Sequence, residues 1–184
     1  MNIHIIRHGQ SNYNVLGLCN NNPARHVYLT MEGIAQAERA ANELSNMPLD
    51  IIFVSQLPRT RQTARLVNDY HKVRIIECEE LNDIRTGFDG KPVDQYFAAV
   101  GRDRFNIVPP RGESLRQFQL RTNAFIDVLL RERYENILIV AHEETLRVFA
   151  ARFNDLTARE MEALSFANCE YLSFHVNTRL KNTA

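Results

Sequence analysis

Short apolar runs rich in β-branched residues recur along the chain, and each predicts a β-strand that is buried on both faces. Four such runs cover residues 2–6, 50–54, 73–76 and 136–140. A further strand is predicted over residues 169–176. The chain is therefore expected to build a sheet from strands that are far apart in sequence.

Between these runs, apolar residues recur at intervals of three and four positions, which predicts amphipathic helices. Thr30 and Ser114 stand where a helix N-cap is needed, and Pro58 suits the first turn of a helix. The predicted helices cover residues 30–44, 58–70, 114–133 and 143–153, with a short one after residue 157.

The order of elements is β-α-β-α-β, an irregular region, and then α-β-α-α-β. This alternation predicts a three-layer α/β/α fold with a mainly parallel sheet and helices on both faces. A chain of 184 residues fits one such domain, and we assign residues 1–184 to it. The irregular region, residues 81–111, contains one predicted helix near residues 93–104 and is expected to cap the substrate.

The balance of charge narrows the range of partners. The chain has 22 basic and 22 acidic residues, which argues against nucleic acid or a membrane as a partner. The sequence has neither a recognisable secretion signal nor an apolar run long enough to span a membrane, so a cytoplasmic location is expected. Its 3 cysteines form no C-x-x-C pair and predict neither a disulfide framework nor a zinc site. No pattern indicates an oligomeric state.

Arginine and histidine residues follow three of the predicted strands. Arg7 and His8 end the first strand, Arg59 opens the helix after the second, and His142 follows the strand at 136–140. The carboxyl ends of parallel strands share one edge, where α/β proteins bind ligands, so these four residues are expected to meet. Two guanidinium groups beside helix N-termini predict a phosphate pocket.

Each of these residue types has a role in phosphoryl transfer. His8 can attack phosphorus if a backbone carbonyl fixes its tautomer, and Gly9 is expected to make room for the phosphoryl group. His142 can donate to the equatorial oxygens, and Asp83 can protonate the leaving oxygen. Taken singly, such residues are more often structural, so the prediction depends on their combination. Structural roles are assigned to the other histidines: His4, His26, His71 and His175.

Five motifs occur in order along the chain. They are RHGQSNYN at residues 7–14, LTMEGIAQA at 29–37, SQLPRTRQTA at 55–64, GES at 112–114 and VAH at 140–142. Together they resemble the signature of the histidine phosphatase superfamily, the phosphoglycerate mutase-like enzymes. The resemblance implies a phosphohistidine mechanism that needs neither a metal nor another cofactor.

The resemblance also assigns roles to residues. It implies that His8 is the nucleophile and that Arg7, Arg59 and His142 bind the phosphoryl group. It places the proton donor in the loop after the third strand, where the stretch LNDIRTG at residues 81–87 gives the role to Asp83. The candidate substrate contacts are Gln10, Asn14, Arg85 and Glu143.

Two residues depart from the pattern of the family. Asp83 is one methylene shorter than the usual glutamate, so it needs a different loop path or a bridging water. Glu143 replaces the usual glycine after the second histidine. Acidic residues are favoured at a helix N-terminus, and we prefer that explanation. The alternative is that Glu143 faces the pocket and selects a substrate with a positive group.

The expected function is hydrolysis of a phosphomonoester of a small metabolite. A phosphoglycerate mutase is the nearest alternative, but mutases of the family carry a longer insertion between the second arginine and the second histidine. A module that binds a phospholigand without proton transfer is an alternative from another class. The sequence leaves the substrate open among a sugar phosphate, a nucleotide-loop phosphate of cobalamin assembly, a phosphoamino acid and a phosphoprotein.

Overall fold

A five-stranded sheet forms the middle layer of the computed structural model, which describes residues 1–177. The sheet has the order β3-β2-β4-β1-β5; β5 runs antiparallel to β1, and the other neighbours are parallel. The strands are β1 (Asn2–Arg7), β2 (Ile51–Ser55), β3 (Arg74–Cys78), β4 (Asn136–Ala141) and β5 (Tyr171–His175). The mainly parallel sheet is thereby confirmed. Residues 178–184, the end of the predicted domain, lie outside the described residues.

Helices cover both faces of the sheet. They are α1 (Asn12–Leu16), α2 (Met31–Leu44), α3 (Pro58–His71), α4 (Val93–Val100), α5 (Leu115–Leu129), α6 (Glu143–Phe153) and α7 (Ala158–Ala163). The apolar pattern does not predict α1, and it extends α4 and α5 too far. Gly101 ends α4 because its φ of 55° lies in the left-handed region. Among the helices of residues 1–177, none is long and apolar enough to cross a membrane.

The period of two along the central strands explains the three layers. In β4, Ile137 and Ile139 pack against α5 and α6, whereas Leu138 and Val140 pack against α2 and α3. All four side chains are fully buried. A continuous apolar run is thus required of this strand, as the sequence pattern predicts.

β3 does not fit the prediction of a strand buried on both faces. It lies at the edge of the sheet, and none of its residues is fully buried: Arg74 and Glu77 are exposed, and the other three are half-buried. An edge strand has a neighbour on one side only, so it receives less cover than a central strand. Ile75 and Ile76 give the strand enough apolar surface for its half-buried place at the edge of the sheet.

The parallel pairing brings three strand ends to one edge of the sheet. Arg7, at the end of β1, pairs with Ala141, at the end of β4, and Ser55 closes β2 beside β4. The residues that follow each strand therefore share one small region, where α3 and α6 also begin.

Candidate active site

A cavity of about 180 Å³ opens at the carboxyl ends of β1, β2 and β4. Arg7, His8, Arg59 and Asp83 line it. The His142 ring packs behind His8, with the two ring centroids 5.2 Å apart. The structure thus brings together the four basic residues that the sequence predicts to meet, and it adds the predicted carboxyl group.

His8 is held in one tautomer. Its Nδ1 lies 2.7 Å from the carbonyl oxygen of Gly9 and must donate to it, so Nε2 carries the lone pair. The Nε–H group of Arg59 donates to this Nε2 at 3.0 Å, which agrees with the assignment. Burial, reinforced by the charge of Arg59, lowers the pKa of His8 well below its ordinary value. The imidazole is therefore neutral and nucleophilic near pH 7.

Arg59 is the central cation of the site. It follows Pro58 in the first turn of α3 and is almost fully buried. Its guanidinium donates to Asn20 Oδ1 at 2.6 Å, to the Asn20 carbonyl at 3.1 Å and to Asp83 Oδ2 at 3.1 Å. Burial lowers the pKa of Arg59, and the carboxylate of Asp83 opposes that effect. The guanidinium is fixed from several sides and faces the cavity.

His142 is buried at the start of α6, with 1% of its surface exposed. Its Nε2 lies 2.9 Å from the hydroxyl of Ser55, and its Nδ1 lies 3.3 Å from Arg59 Nη2 and 3.6 Å from Asp83 Oδ2. Ser55 also shares a hydrogen bond of 2.7 Å with Thr60. Arg59 can only donate, so in the resting site Nδ1 accepts and Nε2–H donates to Ser55. When a phosphoryl group takes the hydrogen bonds of Arg59, the Ser55 hydroxyl can turn to donate to Nε2, and Nδ1–H then faces a phosphoryl oxygen.

Asp83 lies within the site despite its shorter side chain. Its Oδ2 contacts Arg59, as described, and its Oδ1 accepts from the backbone N–H of Ile84 at 2.9 Å. A quarter of the side chain is exposed, so one face of the carboxyl group reaches the cavity. The loop after β3 thus places the aspartate beside Arg59 and His142, two of the residues predicted to bind the phosphoryl group.

Glu143 occupies the place of the usual glycine and faces the cavity. It is the first residue of α6, which is the position that the preferred explanation assigns to it. Its Oε2 lies 3.0 Å from Arg7 Nη1, and its Oε1 accepts from Arg147 at 2.7 Å. Both carboxylate oxygens are therefore paired with arginines. Glu143 therefore acts mainly on the electrostatic potential at Arg7, and neither of its oxygens is left free for a positively charged group of a substrate.

Three predicted contacts lie elsewhere. A Cβ at Gly9 would stand 2.3 Å from the carbonyl oxygen of Gly33, so Gly9 makes room for α2 rather than for the phosphoryl group. The Gln10 side chain accepts from Thr30 Oγ1 at 2.9 Å and lies outside the cavity lining. Arg85 is exposed and pairs with Glu113 at 3.2 Å, beside a separate cavity of about 470 Å³.

Other residues complete the site, and sequence reasoning anticipates only some of them. Asn14 lines the cavity as predicted, but its Oδ1 also accepts from Ser11 in the capping box of α1. Asn20 buries its amide against Arg59, a role that no motif indicates. The outer wall is mainly apolar and aromatic, and its apolar residues come from α1, α4 and the loops beside them: Tyr13, Leu18, Val93, Tyr96 and Phe97. Arg104 also lines it, with its guanidinium 5.8 Å from the centre of the Tyr96 ring and 5.7 Å from that of Phe97.

The arrangement has the parts needed to transfer a phosphoryl group to nitrogen. It has a neutral imidazole with an oriented lone pair, two guanidinium groups, a second imidazole and a carboxyl group. Within residues 1–177, no group of three or more His, Cys, Asp or Glu side chains is placed to hold a metal ion.

Comparisons with known proteins agree with this chemistry. The family model described as the histidine phosphatase superfamily (branch 1) matches residues 3–181. Over 171 residues, the chain is 32% identical to the adenosylcobalamin/alpha-ribazole phosphatase of Salmonella typhimurium, which covers 88% of this chain and 83% of that relative. Over 205 residues, it is 26% identical to a 2,3-bisphosphoglycerate-dependent phosphoglycerate mutase of Protochlamydia amoebophila, covering 89% of each.

A solved structure has the same fold along almost the whole length. The alpha-ribazole phosphatase from Shigella flexneri superimposes with a TM-score of 0.87 at 28% identity, covering 96% of this chain and 91% of that chain.

Proposed function

The chain belongs to the histidine phosphatase superfamily, branch 1, and from this premise we propose that it hydrolyses phosphomonoesters of a small metabolite through a phosphohistidine at His8. The observation that carries the proposal is the oriented lone pair of His8. Its Nδ1–H is bound to the Gly9 carbonyl, and its Nε2 points at Arg59 inside the cavity.

In the first half-reaction, His8 Nε2 attacks phosphorus. The N–P bond forms while the P–O bond to the leaving group breaks, and Asp83 gives its proton to the departing oxygen. Arg7, Arg59 and Nδ1–H of His142 hold the nonbridging oxygens and stabilise the charge that develops there. The products of this step are the free alcohol and the phosphorylated imidazole.

In the second half-reaction, a water molecule attacks the phosphorus of the phosphohistidine. Asp83, now a carboxylate, takes a proton from that water, and the N–P bond breaks. The electron pair returns to His8 Nε2, and inorganic phosphate leaves. Asp83 thereby regains its proton, and the cycle is closed without an external reagent.

Sequence identity favours hydrolysis over a mutase reaction. The alpha-ribazole phosphatases of Escherichia coli and Salmonella are 30–32% identical to this chain, whereas the phosphoglycerate mutases it matches are 26–28% identical. We therefore expect release of phosphate to water rather than its transfer to a second hydroxyl of the substrate.

The outer wall of the cavity favours a leaving group with a planar, apolar part. Tyr96 is buried there beside Phe97, of which 51% is exposed, and Val93 is also partly exposed. Aromatic side chains at a cavity mouth gain by stacking on a flat ring. Alpha-ribazole 5′-phosphate, the substrate class named for the relatives, is the first compound to test. Phosphoserine is the polar comparison.

The decisive experiment traps the intermediate. Phosphate release from p-nitrophenyl phosphate is measured first, and the enzyme is then mixed with ³²P-labelled substrate, quenched in alkali and mapped by mass spectrometry. We expect label on His8 and loss of turnover in His8→Ala. His175→Ala is the matched control, because His175 is exposed on β5, a strand whose end does not contribute to the site. Wild-type turnover in His8→Ala would refute the nucleophile.

The same experiment separates the enzyme from a binding module. A module without proton transfer would bind vanadate or phosphate tightly, yet it would show neither turnover nor labelled histidine. That outcome would overturn the proposed function while leaving the phosphate pocket intact.

A further inference from the structure

The loop that carries Asp83 has no helix or strand of its own over residues 82–86. One side chain on another element nevertheless holds its backbone. Arg121 of α5 donates from Nη1 to the Glu80 carbonyl at 2.7 Å, and from Nη2 to the carbonyls of Asn82 at 2.9 Å and Asp83 at 3.1 Å. A single guanidinium thus fixes three peptide groups at and just before the aspartate.

Glu113, the acidic residue of the GES motif, aims this guanidinium. Only 2% of Glu113 is exposed. Its Oε1 accepts from Arg121 Nη2 at 2.7 Å and from the backbone N–H of Arg85 at 3.0 Å. Its own N–H donates to the Arg85 carbonyl at 2.7 Å. The Phe118 ring supports the other side of the guanidinium, 4.5 Å away.

The electrostatics of this contact fit a fixed ion pair. Burial acts to raise the pKa of Glu113, but the hydrogen bonds from Arg121 and from the Arg85 amide, with the charges of both arginines, outweigh it, and the net pKa is lowered. The carboxylate is therefore ionised near pH 7 and holds Arg121 in place.

The loop is also tied on its other side. The side-chain oxygen of Asn82 accepts from the backbone N–H of Gln56, in the turn between β2 and α3, at 2.8 Å. The loop of Asp83 is therefore held between the turn that precedes Arg59 and the ion pair that Glu113, just before α5, forms with Arg121 of α5. A short side chain has little reach of its own, so the place of its carboxyl group depends on the place of its backbone.

We propose that Arg121 and Glu113 are positioning residues for proton transfer, because they set the backbone of Asp83 so that its carboxyl group meets the leaving oxygen. The inference rests on the proposed function, in which Asp83 is the proton donor. It assigns to the GES motif a task in the reaction, although Glu113 does not line the cavity around His8.

A merely structural role for the pair predicts a different result, and the leaving group separates the two. p-Nitrophenolate departs without a proton, whereas phenolate, with a pKa near that of tyrosine at about 10, benefits from a donor. The two aryl phosphates have nearly the same shape. A misplaced donor slows phenyl phosphate selectively, whereas a damaged pocket slows both substrates alike.

The test measures kcat/KM on both substrates for Arg121→Gln, Arg121→Lys, Glu113→Gln and Asp83→Asn. Asp83→Asn should lose about 10²–10⁴-fold on phenyl phosphate. Arg121→Gln and Glu113→Gln should lose at least about tenfold more on phenyl phosphate than on p-nitrophenyl phosphate. Arg116→Gln, an exposed arginine on the same helix, is the control. Inhibition by vanadate should stay within a few-fold of wild type.

Coupling completes the test. In Asp83→Asn/Arg121→Gln, the ratio of the two substrates should equal that of Asp83→Asn alone, because the donor is already lost. Equal losses on both substrates in variants that melt like wild type, or an additive ratio in the double variant, would overturn the inference. If Asp83→Asn itself leaves the ratio unchanged, the proton donor of the proposed function fails as well. If Asp83→Asn changes the ratio but Arg121→Gln and Glu113→Gln do not, only the positioning role of the pair is overturned.

Discussion

Mild acid is expected to destabilise the folded chain, because His8 and His142 are buried and neutral. They are only 3% and 1% exposed, and burial with the charge of Arg59 lowers the pKa of both well below the ordinary value. In the unfolded chain each imidazole has a pKa of about 6.5. Below that pH, unfolding takes up a proton at each site. The stabilisation is therefore complete above about pH 6.5 and is lost as the pH falls.

The magnitude follows from proton linkage. At pH 5.5, protonation of the unfolded chain destabilises the fold by at most about 1.4 kcal/mol for each histidine, or about 2.8 kcal/mol for the two, and by almost nothing at pH 7.5. His4 and His71, whose pKa values burial also lowers, act in the same direction. Against a total of roughly 5–15 kcal/mol, this is a large fraction. It corresponds to a fall in Tm of about 5–11 °C for a domain of this size.

Urea unfolding at pH 7.5, 6.5 and 5.5 measures the effect. The buffers must contain no phosphate, because an anion that binds the native pocket would mask the loss. His8→Asn should remove about half of the pH dependence, whereas His175→Asn, which alters an exposed histidine, should leave it intact. A free energy of unfolding that is the same at pH 7.5 and 5.5, or an unchanged slope in His8→Asn, would refute the reasoning.

Three further substitutions test single contacts. Glu143→Gln removes a carboxylate that competes with phosphate for Arg7, so calorimetry should show inorganic phosphate binding tighter by roughly 1 kcal/mol. Weaker binding would show instead that Glu143 mainly holds Arg7 in the orientation that binds phosphate. Gly33→Ala places a Cβ 1.9 Å from the Gln10 carbonyl oxygen and should cost about 1–3 kcal/mol or more in urea unfolding; unchanged stability contradicts the close approach. Ser55→Ala leaves His142 Nε2 without its buried partner, so we expect a loss of about 1–3 kcal/mol and a changed ¹⁵N shift of that ring; an unchanged spectrum would argue against the contact.

The sequence predicts most of the fold because its central strands are covered on both sides. β4 buries every side chain after Asn136, so its apolar run has no other stable place in a domain of this kind. Where a strand is covered only in part, an apolar run no longer identifies its place in the sheet. Ile75 and Ile76 produce the same signal in β3, yet that strand lies at the edge, a position that depends on strand order rather than on local composition.

The candidate site divides in the same way. Arg7, His8 and His142 follow strands whose ends the parallel topology brings together, so their meeting is predictable from chain order. Asn20 reaches the cavity from an irregular connection, and Tyr96 from α4, whose place over the cavity depends on tertiary contacts that leave no period in the sequence. Gln10 belongs to the same motif as His8 but turns toward α2, where its side chain accepts from the N-cap residue Thr30, a tertiary contact that the motif does not reveal.

The two departures from the family pattern act on the two phosphate-binding arginines. Arg7 is paired with Glu143, and Arg59 with Asp83. A cation that is buried without a partner is costly, so each carboxylate stabilises an arginine that a substrate later needs. In the proposed reaction, a phosphoryl group takes the hydrogen bonds of Arg59 and so frees Asp83 from that pair for proton transfer. Asp83→Asn separates these two duties, because an amide oxygen still accepts from Arg59 but supplies no proton to the leaving group. In the proposed mechanism the aspartate is thus the counter-ion of Arg59 in the resting site and the acid in the reacting one, and phosphate binding is the event that changes its role.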